Sequence, residues 1–360
     1  MKQKLKIALL QIFKASGLFR LARWSTRNGI IILGWHGVSM ADEHHRFKNL
    51  FISPQTFRKR LEFLNRHYKI IRLEEAVRQL TTGRVEPYQA VLTFDDGYYN
   101  FLSVAAPILE EYQIPATVYV VSYYLEKQKP FHSLLIRDII LRSELDVLSE
   151  NIPGIPAPVP LRSAKDKERL VRLALKQLFE YPFDSPKRDE FAGVLAEKLQ
   201  VDIDTILKKR YWHSITGEEA KQLSQKGYSI ELHGHSHHNV VEHPKILREE
   251  VKNCKDIVDK ATQKDARFFC YPSGLWKKEA WKVLNELGIQ CAVTTRNGPN
   301  FSATPLFALR RYLDGEYQHQ LEFEFLMSNL RWLLHSVFHP ARFTTPSEKV
   351  KRYKEDGKIF

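Results

Sequence analysis

Short apolar, β-branched runs recur along the chain with helical segments between them, and this alternation restricts the fold more than any other feature. Strand patterns lie at residues 30–33, 69–72, 90–94, 116–121, 229–232, 268–271 and 289–294. Helical patterns fall between them, near 54–68, 104–111, 245–261 and 277–287. Ser53-Pro54 supplies a capping residue and a proline at the first helical position, and Thr216 with Glu219 makes a capping box. Strands that alternate with helices predict a parallel sheet, as a barrel or an open sheet. At 360 residues the chain is long enough for one barrel-sized domain with an insertion.

Two of the strands run straight into ionisable residues. Ala90-Val91-Leu92-Thr93-Phe94 is followed by Asp95-Asp96-Gly97. Adjacent carboxylates at the mouth of a sheet resist joint ionisation unless a cation lies beside them; a solvated Asp-Gly turn is the plain alternative. Ser229-Ile230-Glu231-Leu232 runs into His233-Gly234-His235-Ser236-His237-His238-Asn239, four histidines within six positions. Imidazole and carboxylate are ordinary ligands for zinc, and two histidines with one aspartate leave a fourth position for water. A His-rich surface tract is the competing reading. In folds of this class the strand ends converge on one face, where active sites lie.

With these motifs the chain resembles the polysaccharide deacetylase family, the proteins that share the NodB homology domain. Thr93-Phe94-Asp95-Asp96-Gly97 matches its first motif in full. His233-Gly234-His235-Ser236-His237 resembles its His-(Ser/Thr)-x-x-His motif, with glycine at the second position. A second register, opening at His235-Ser236, would put Asn239 at the second ligand position. Phe269-Cys270-Tyr271-Pro272-Ser273-Gly274 resembles a third family loop. The likeness covers roughly residues 30 to 125 and 210 to 315.

The resemblance implies a distorted (β/α) barrel and a metal-dependent hydrolase that removes the N-acetyl group of an amino sugar in a polysaccharide or lipid-linked glycan precursor. It implies Asp96, His233 and His237 as ligands of Zn2+ or another divalent transition metal, and Asp95 as the base. Tyr271, Ser273 and Arg311 are expected at the substrate, with a backbone N–H of residues 271–274 on the oxyanion. Many members carry a late Leu-x-His that supplies the acid, and no such tripeptide lies at residues 309–314. His36 in Trp35-His36-Gly37-Val38, which resembles a Tyr-His-x-Val of one branch, is the replacement; a packed strand-end histidine is the other reading. The family's base-orienting arginine is replaced by Cys270, with Arg311 as the substitute. An inactive glycan-binding protein that keeps the fold is the alternative function.

The formal net charge of +13 points to an anionic partner. No basic stripe accompanies a nucleic-acid reading motif, so nucleic acid is not favoured over an N-acetylated glycan and an anionic membrane surface. Residues 1–28 predict a basic amphipathic helix, lying on the cytoplasmic leaflet or docked on the protein. A cell-envelope or secreted location is the alternative. Three cysteines without metal spacing suit a reducing compartment. The barrel is expected at 29–122 and 213–315, a helical insertion at 123–212, and a C-terminal helix and basic tail at 316–360.

Overall fold

The computed structural model describes residues 2–338; the basic tail expected beyond them lies outside the described residues. Eight parallel strands form the main sheet: β1 (Ile31–Trp35), β2 (Lys69–Ile70), β3 (Gln89–Phe94), β4 (Thr117–Val120), β5 (Ser229–Leu232), β6 (Phe268–Cys270), β7 (Cys291–Val293) and β8 (Tyr312–Leu313). Their order is β7-β6-β5-β4-β3-β1-β8, with β2 paired to the start of β3. All seven expected strands are present within a residue or two. The short β8 carries no strand signal of its own and is held by its register on Leu33 and Gly34.

The sheet curls into a distorted barrel, as the resemblance implied. Its two edge strands are joined through an irregular segment rather than a direct ladder. Thr294 N–H donates to the Leu309 carbonyl at 2.8 Å, and Arg311 N–H to that of Arg296 at 2.9 Å. Asn300 fastens the same segment to the start of β1 through reciprocal backbone bonds with Ile30, both 2.8 Å.

Alternation along the strands separates two cores. Ile31, Leu33, Trp35, Leu92, Phe94, Val118, Val120 and Leu232 belong to the large cluster that faces the surrounding helices. Ile32, Val91, Tyr119, Phe268, Cys270 and Val293 form the second cluster, inside the curl. Continuing the period of two from Ile32, Val91 and Tyr119 past the strand ends places His36 and Asp95 on the inner side, at the carboxyl ends of β1 and β3. The helices between strands start where their chemistry predicts. Ser53 Oγ accepts from Thr56 N–H at 3.2 Å before helix Pro54–His67, and Thr216 and Glu219 form their reciprocal capping box.

The expected insertion is a separate compact unit over Lys127–Ser214, and the remaining described residues form the barrel unit. Helices His132–Arg142, Ala164–Glu180, Lys187–Lys198 and Ile203–Lys208 build the insertion. Buried Asp138 ties it together by accepting from Arg142 Nε at 2.8 Å and Trp212 Nε1 at 3.0 Å. Its boundary falls a few residues later than expected. Tyr123 and Tyr124 are buried in the barrel unit, where Tyr123 N–H donates to the His235 carbonyl at 3.0 Å.

Candidate active site

Asp95 is the first residue after β3 and is buried. Both its oxygens lie in the fork of Arg311: Nη1 donates to Oδ1 at 2.6 Å and Nη2 to Oδ2 at 2.8 Å. Arg311 is itself fully buried, donating from Nε to the Thr294 carbonyl at 3.0 Å and from Nη1 to Thr93 Oγ1 at 3.1 Å. Burial alone would push the Asp95 carboxyl up; the Arg311 charge and its paired hydrogen bonds outweigh burial and hold it below the usual carboxylate range. Asp95 is therefore an oriented anion. The expectation that Arg311 touches substrate is corrected here: it is enclosed, and its planar fork fits a carboxylate bidentately.

Asp96 leaves the extended conformation, with φ +68°, a region a non-glycine residue seldom occupies. Gly97 follows at the same φ, and a Cβ there would sit 2.6 Å from Val120 Cγ1, so only glycine fits the turn. This turn carries the Asp96 carboxylate to two imidazoles. His233 Nε2 and His237 Nε2 each lie 3.3 Å from Asp96 Oδ1. One ligand atom from each of the three residues falls within 4.8 Å of the others.

These residues fit a divalent cation on three counts. Asp96 Oδ1 is buried and has no hydrogen-bond donor, a costly condition for a carboxylate oxygen. His233 Nδ1 lies 2.8 Å from the Cys270 carbonyl, which accepts its proton and leaves the Nε2 lone pair aimed at Asp96. Two imidazole nitrogens and one carboxylate oxygen are also a catalytic zinc set with a position to spare. Asp95, His233 and Cys270 form a second candidate group. There Arg311 Nη2 lies 3.2 Å from Cys270 Sγ, and its fixed positive charge opposes a cation.

The histidine loop is held from outside. Glu250, on helix Pro244–Thr262, accepts from His235 N–H at 2.9 Å, Ser236 N–H at 2.8 Å and Ser236 Oγ at 2.6 Å. The loop then reaches φ +62° at His237. Glu250→Ala is expected to weaken metal affinity roughly tenfold to a hundredfold by releasing this loop; titration of the metal-free variant with Zn2+ measures it.

The register through His235 and Asn239 does not form a site. His235 Nδ1 meets Ser122 Oγ at 2.9 Å, and Asn239 Nδ2 donates to the carbonyls of Pro272 at 2.9 Å and Leu275 at 3.1 Å. Asn239 clamps the 271–274 loop instead.

His36 stands at the end of β1, beside the aspartates of β3. Burial lowers its pKa, and the charges of Asp96 and Asp95 partly offset that. Its Nδ1 is buried without a hydrogen-bond partner. Tyr271 is corrected: its side chain is buried beside Phe269, and its hydroxyl donates to the Phe307 carbonyl at 3.0 Å, so it packs the barrel wall. Ser273 is exposed on the loop at φ +59°. In residues 271–274 the Tyr271 and Gly274 N–H groups are spent on the Val293 and Tyr271 carbonyls, and proline has none. The backbone donor of this turn is thereby narrowed to Ser273.

Tyr98 and Glu250 were missed by the sequence reading. Tyr98 is buried and hydrogen-bonds the Asp96 side chain. Its place one residue past the Asp-Asp-Gly turn was the available signal; for Glu250 there was none.

The family model for polysaccharide deacetylase matches residues 82–148 and 197–292, which contain Asp95, Asp96, His233 and His237. Over these two segments the chain is similar to the polysaccharide deacetylase family. Its relatives include the poly-beta-1,6-N-acetyl-D-glucosamine N-deacetylase of Staphylococcus epidermidis, 24% identical over 135 residues, 34% of this chain and 45% of that protein. The corresponding Staphylococcus aureus N-deacetylase is 27% identical over 129 residues, 33% of this chain and 43% of that one. The matches thus span less than half the length of these curated relatives. Among solved structures, the Streptococcus pyogenes deacetylase PplD in complex with acetate has a TM-score of 0.56 at 20% identity, covering 84% of this chain and 99% of that one. A de-N-acetylase from Aggregatibacter actinomycetemcomitans has a TM-score of 0.53 at 15% identity, covering 82% and 99%. Both share the polysaccharide deacetylase fold with this chain.

Proposed function

We propose that this chain is a polysaccharide deacetylase, a metal-dependent hydrolase that cleaves the N-acetyl group of an amino sugar in a polysaccharide or a lipid-linked glycan precursor. The observation that carries the reading is the pairing of an orphaned Asp96 Oδ1, faced by two Nε2 atoms at 3.3 Å, with an Asp95 carboxylate oriented by Arg311. The substrate class is supported by the staphylococcal relatives, which act on poly-beta-1,6-N-acetyl-D-glucosamine.

Asp96, His233 and His237 would hold the ion. A divalent ion supplies Lewis acidity, which acidifies a water and polarises the acetamide carbonyl. Asp95, ionised and fixed at both oxygens, takes the proton from the attacking water as a C–O bond forms. The Ser273 N–H is the backbone donor available to the oxyanion. As the C–N bond breaks, the amine needs a proton, and His36 is the imidazole beside the aspartates that can deliver it. Its burial favours the neutral ring at rest, so it gives up a proton only after receiving one that Asp95 has removed.

The test is acetate release by the full chain from β-1,4- and β-1,6-linked N-acetylglucosamine oligomers and a lipid-linked acetamido sugar. Acetate should appear in equal amount to new amine, disappear on chelation and return with Zn2+. Oligosaccharide binding without acetate under any metal would assign the chain to the inactive glycan-binding alternative.

A further inference from the structure

The two helices that open the chain, Lys2–Ala15 and Leu18–Ser25, carry both buried and exposed apolar side chains. One side is docked. Leu10, Phe19 and Ala22 are buried in a cluster with Leu321 and Leu330, joined by Ile7, Phe13, Phe325 and Leu333. Lys6 and Lys14 form ion pairs with Glu322 and Glu324 beside it. Asn329 Nδ2 donates to Thr26 Oγ1 at 2.9 Å and Asn329 Oδ1 accepts from Tyr312 OH at 2.8 Å, so the cluster is tied to β8. The docked alternative for this segment therefore holds for one face.

Other apolar side chains of the same helices are left largely exposed. Leu5, Leu9 and Ile12, spaced i, i+4 and i+7, share one helix face and are 72%, 48% and 62% exposed. In the second helix Leu21 and Trp24 are 58% and 54% exposed. Residues 1–41 contain seven lysines and arginines, six of them within the first 23 residues, and no acidic residue. With Lys6 and Lys14 already paired, Lys4 and Arg20 are exposed and have no acidic partner among the described residues. No helix among the described residues is long and apolar enough to cross a membrane.

We propose that this face is a docking surface for an anionic lipid bilayer, with Leu5, Leu9, Ile12, Leu21 and Trp24 entering the headgroup boundary and Lys4 and Arg20 meeting lipid phosphates. An apolar helix face edged by unpaired cations, with an exposed tryptophan, is the arrangement of an interfacial helix. Charge selects the occupant. A second copy would bring the same uncompensated cations against this face, whereas an anionic leaflet neutralises them. The reading does not rest on the deacetylase assignment.

Flotation of the full chain with vesicles tests it. The protein should float with phosphatidylcholine vesicles containing about a third phosphatidylglycerol and stay behind with phosphatidylcholine alone. The triple variant Leu5→Ser, Leu9→Ser, Ile12→Ser should lose more than about tenfold in partition. Lys4→Gln with Arg20→Gln should lose more than about fivefold, and added salt should act in the same direction. Ile246→Ser, on another exposed apolar position, should behave as wild type, and all variants should share its thermal transition. No flotation with the anionic vesicles, or equal flotation of the triple variant, overturns the proposal. A concentration-dependent dimer in sedimentation that the triple variant abolishes, without vesicle binding, would overturn it in favour of a second copy.

Discussion

Asp95→Asn is expected to lower acetate release by roughly a hundredfold to ten-thousandfold while leaving one metal ion bound per chain. The amide has nearly the volume of the carboxylate but cannot take a proton from water. Asp95 also lies outside the Asp96, His233 and His237 group, so the ion should be retained. The substitution has a structural cost as well. Arg311 is fully buried, and one oxygen of its bidentate partner is replaced by an amide nitrogen. Breaking a buried ion pair costs about 3–5 kcal/mol when the remaining charge is unpartnered; the amide oxygen still accepts one bond, so a smaller loss is expected. Assays well below the variant's thermal midpoint, with metal content measured on the same sample, separate chemistry from unfolding. Wild-type turnover in a variant with full metal content would remove Asp95 from the base role.

The second large effect concerns the metal group. His237→Ala removes one of the three proposed ligands, and its side chain is 27% exposed, so it disturbs little packing. Losing a partner of a ligand costs roughly 10–100-fold in metal affinity, and losing a ligand should exceed that. The readout need not be activity. A ligand that binds only the folded state adds about 2.7 kcal/mol of stability at a hundred times its dissociation constant, so Zn2+ should raise the wild-type melting temperature. The gain should vanish in His237→Ala and Asp96→Asn. An equal rise in wild type and both variants would show that the ion binds elsewhere.

The parts of the site that were legible share a cause. Asp95, Asp96 and His233 follow directly on strands whose hydrophobic runs end abruptly, and parallel strands of one sheet bring their carboxyl ends to one side. Arg311 was expected both to substitute for the base-orienting arginine and to touch substrate; the second role was misread because its partner Asp95 is 216 residues away. In a chain with 55 lysines and arginines, nothing local separates the one enclosed in the barrel from those on the surface. Tyr271 was misread for a related reason. Strand alternation tells which side a residue faces, but not that a hydroxyl will meet the carbonyl of Phe307. Glu250 was invisible because its acceptors are backbone N–H groups of a loop, which leave no mark on residue type. The first helix was read as amphipathic and either docked or membrane-bound, since an apolar face in the sequence does not say what covers it. Burial of Leu10 and exposure of Leu5, Leu9 and Ile12 divide the helix's apolar residues.

Residue order by itself determined the alternating strands and helices and which carboxylates and imidazoles end the strands. These follow from local periodicity and backbone sterics, which act within a few residues. Only the tertiary structure decided that Asp96 turns at φ +68° to meet His233 and His237, that Arg311 serves Asp95, and which side of the opening helices is covered. Those outcomes depend on distances between segments far apart in the chain, and such distances are set when the whole barrel packs.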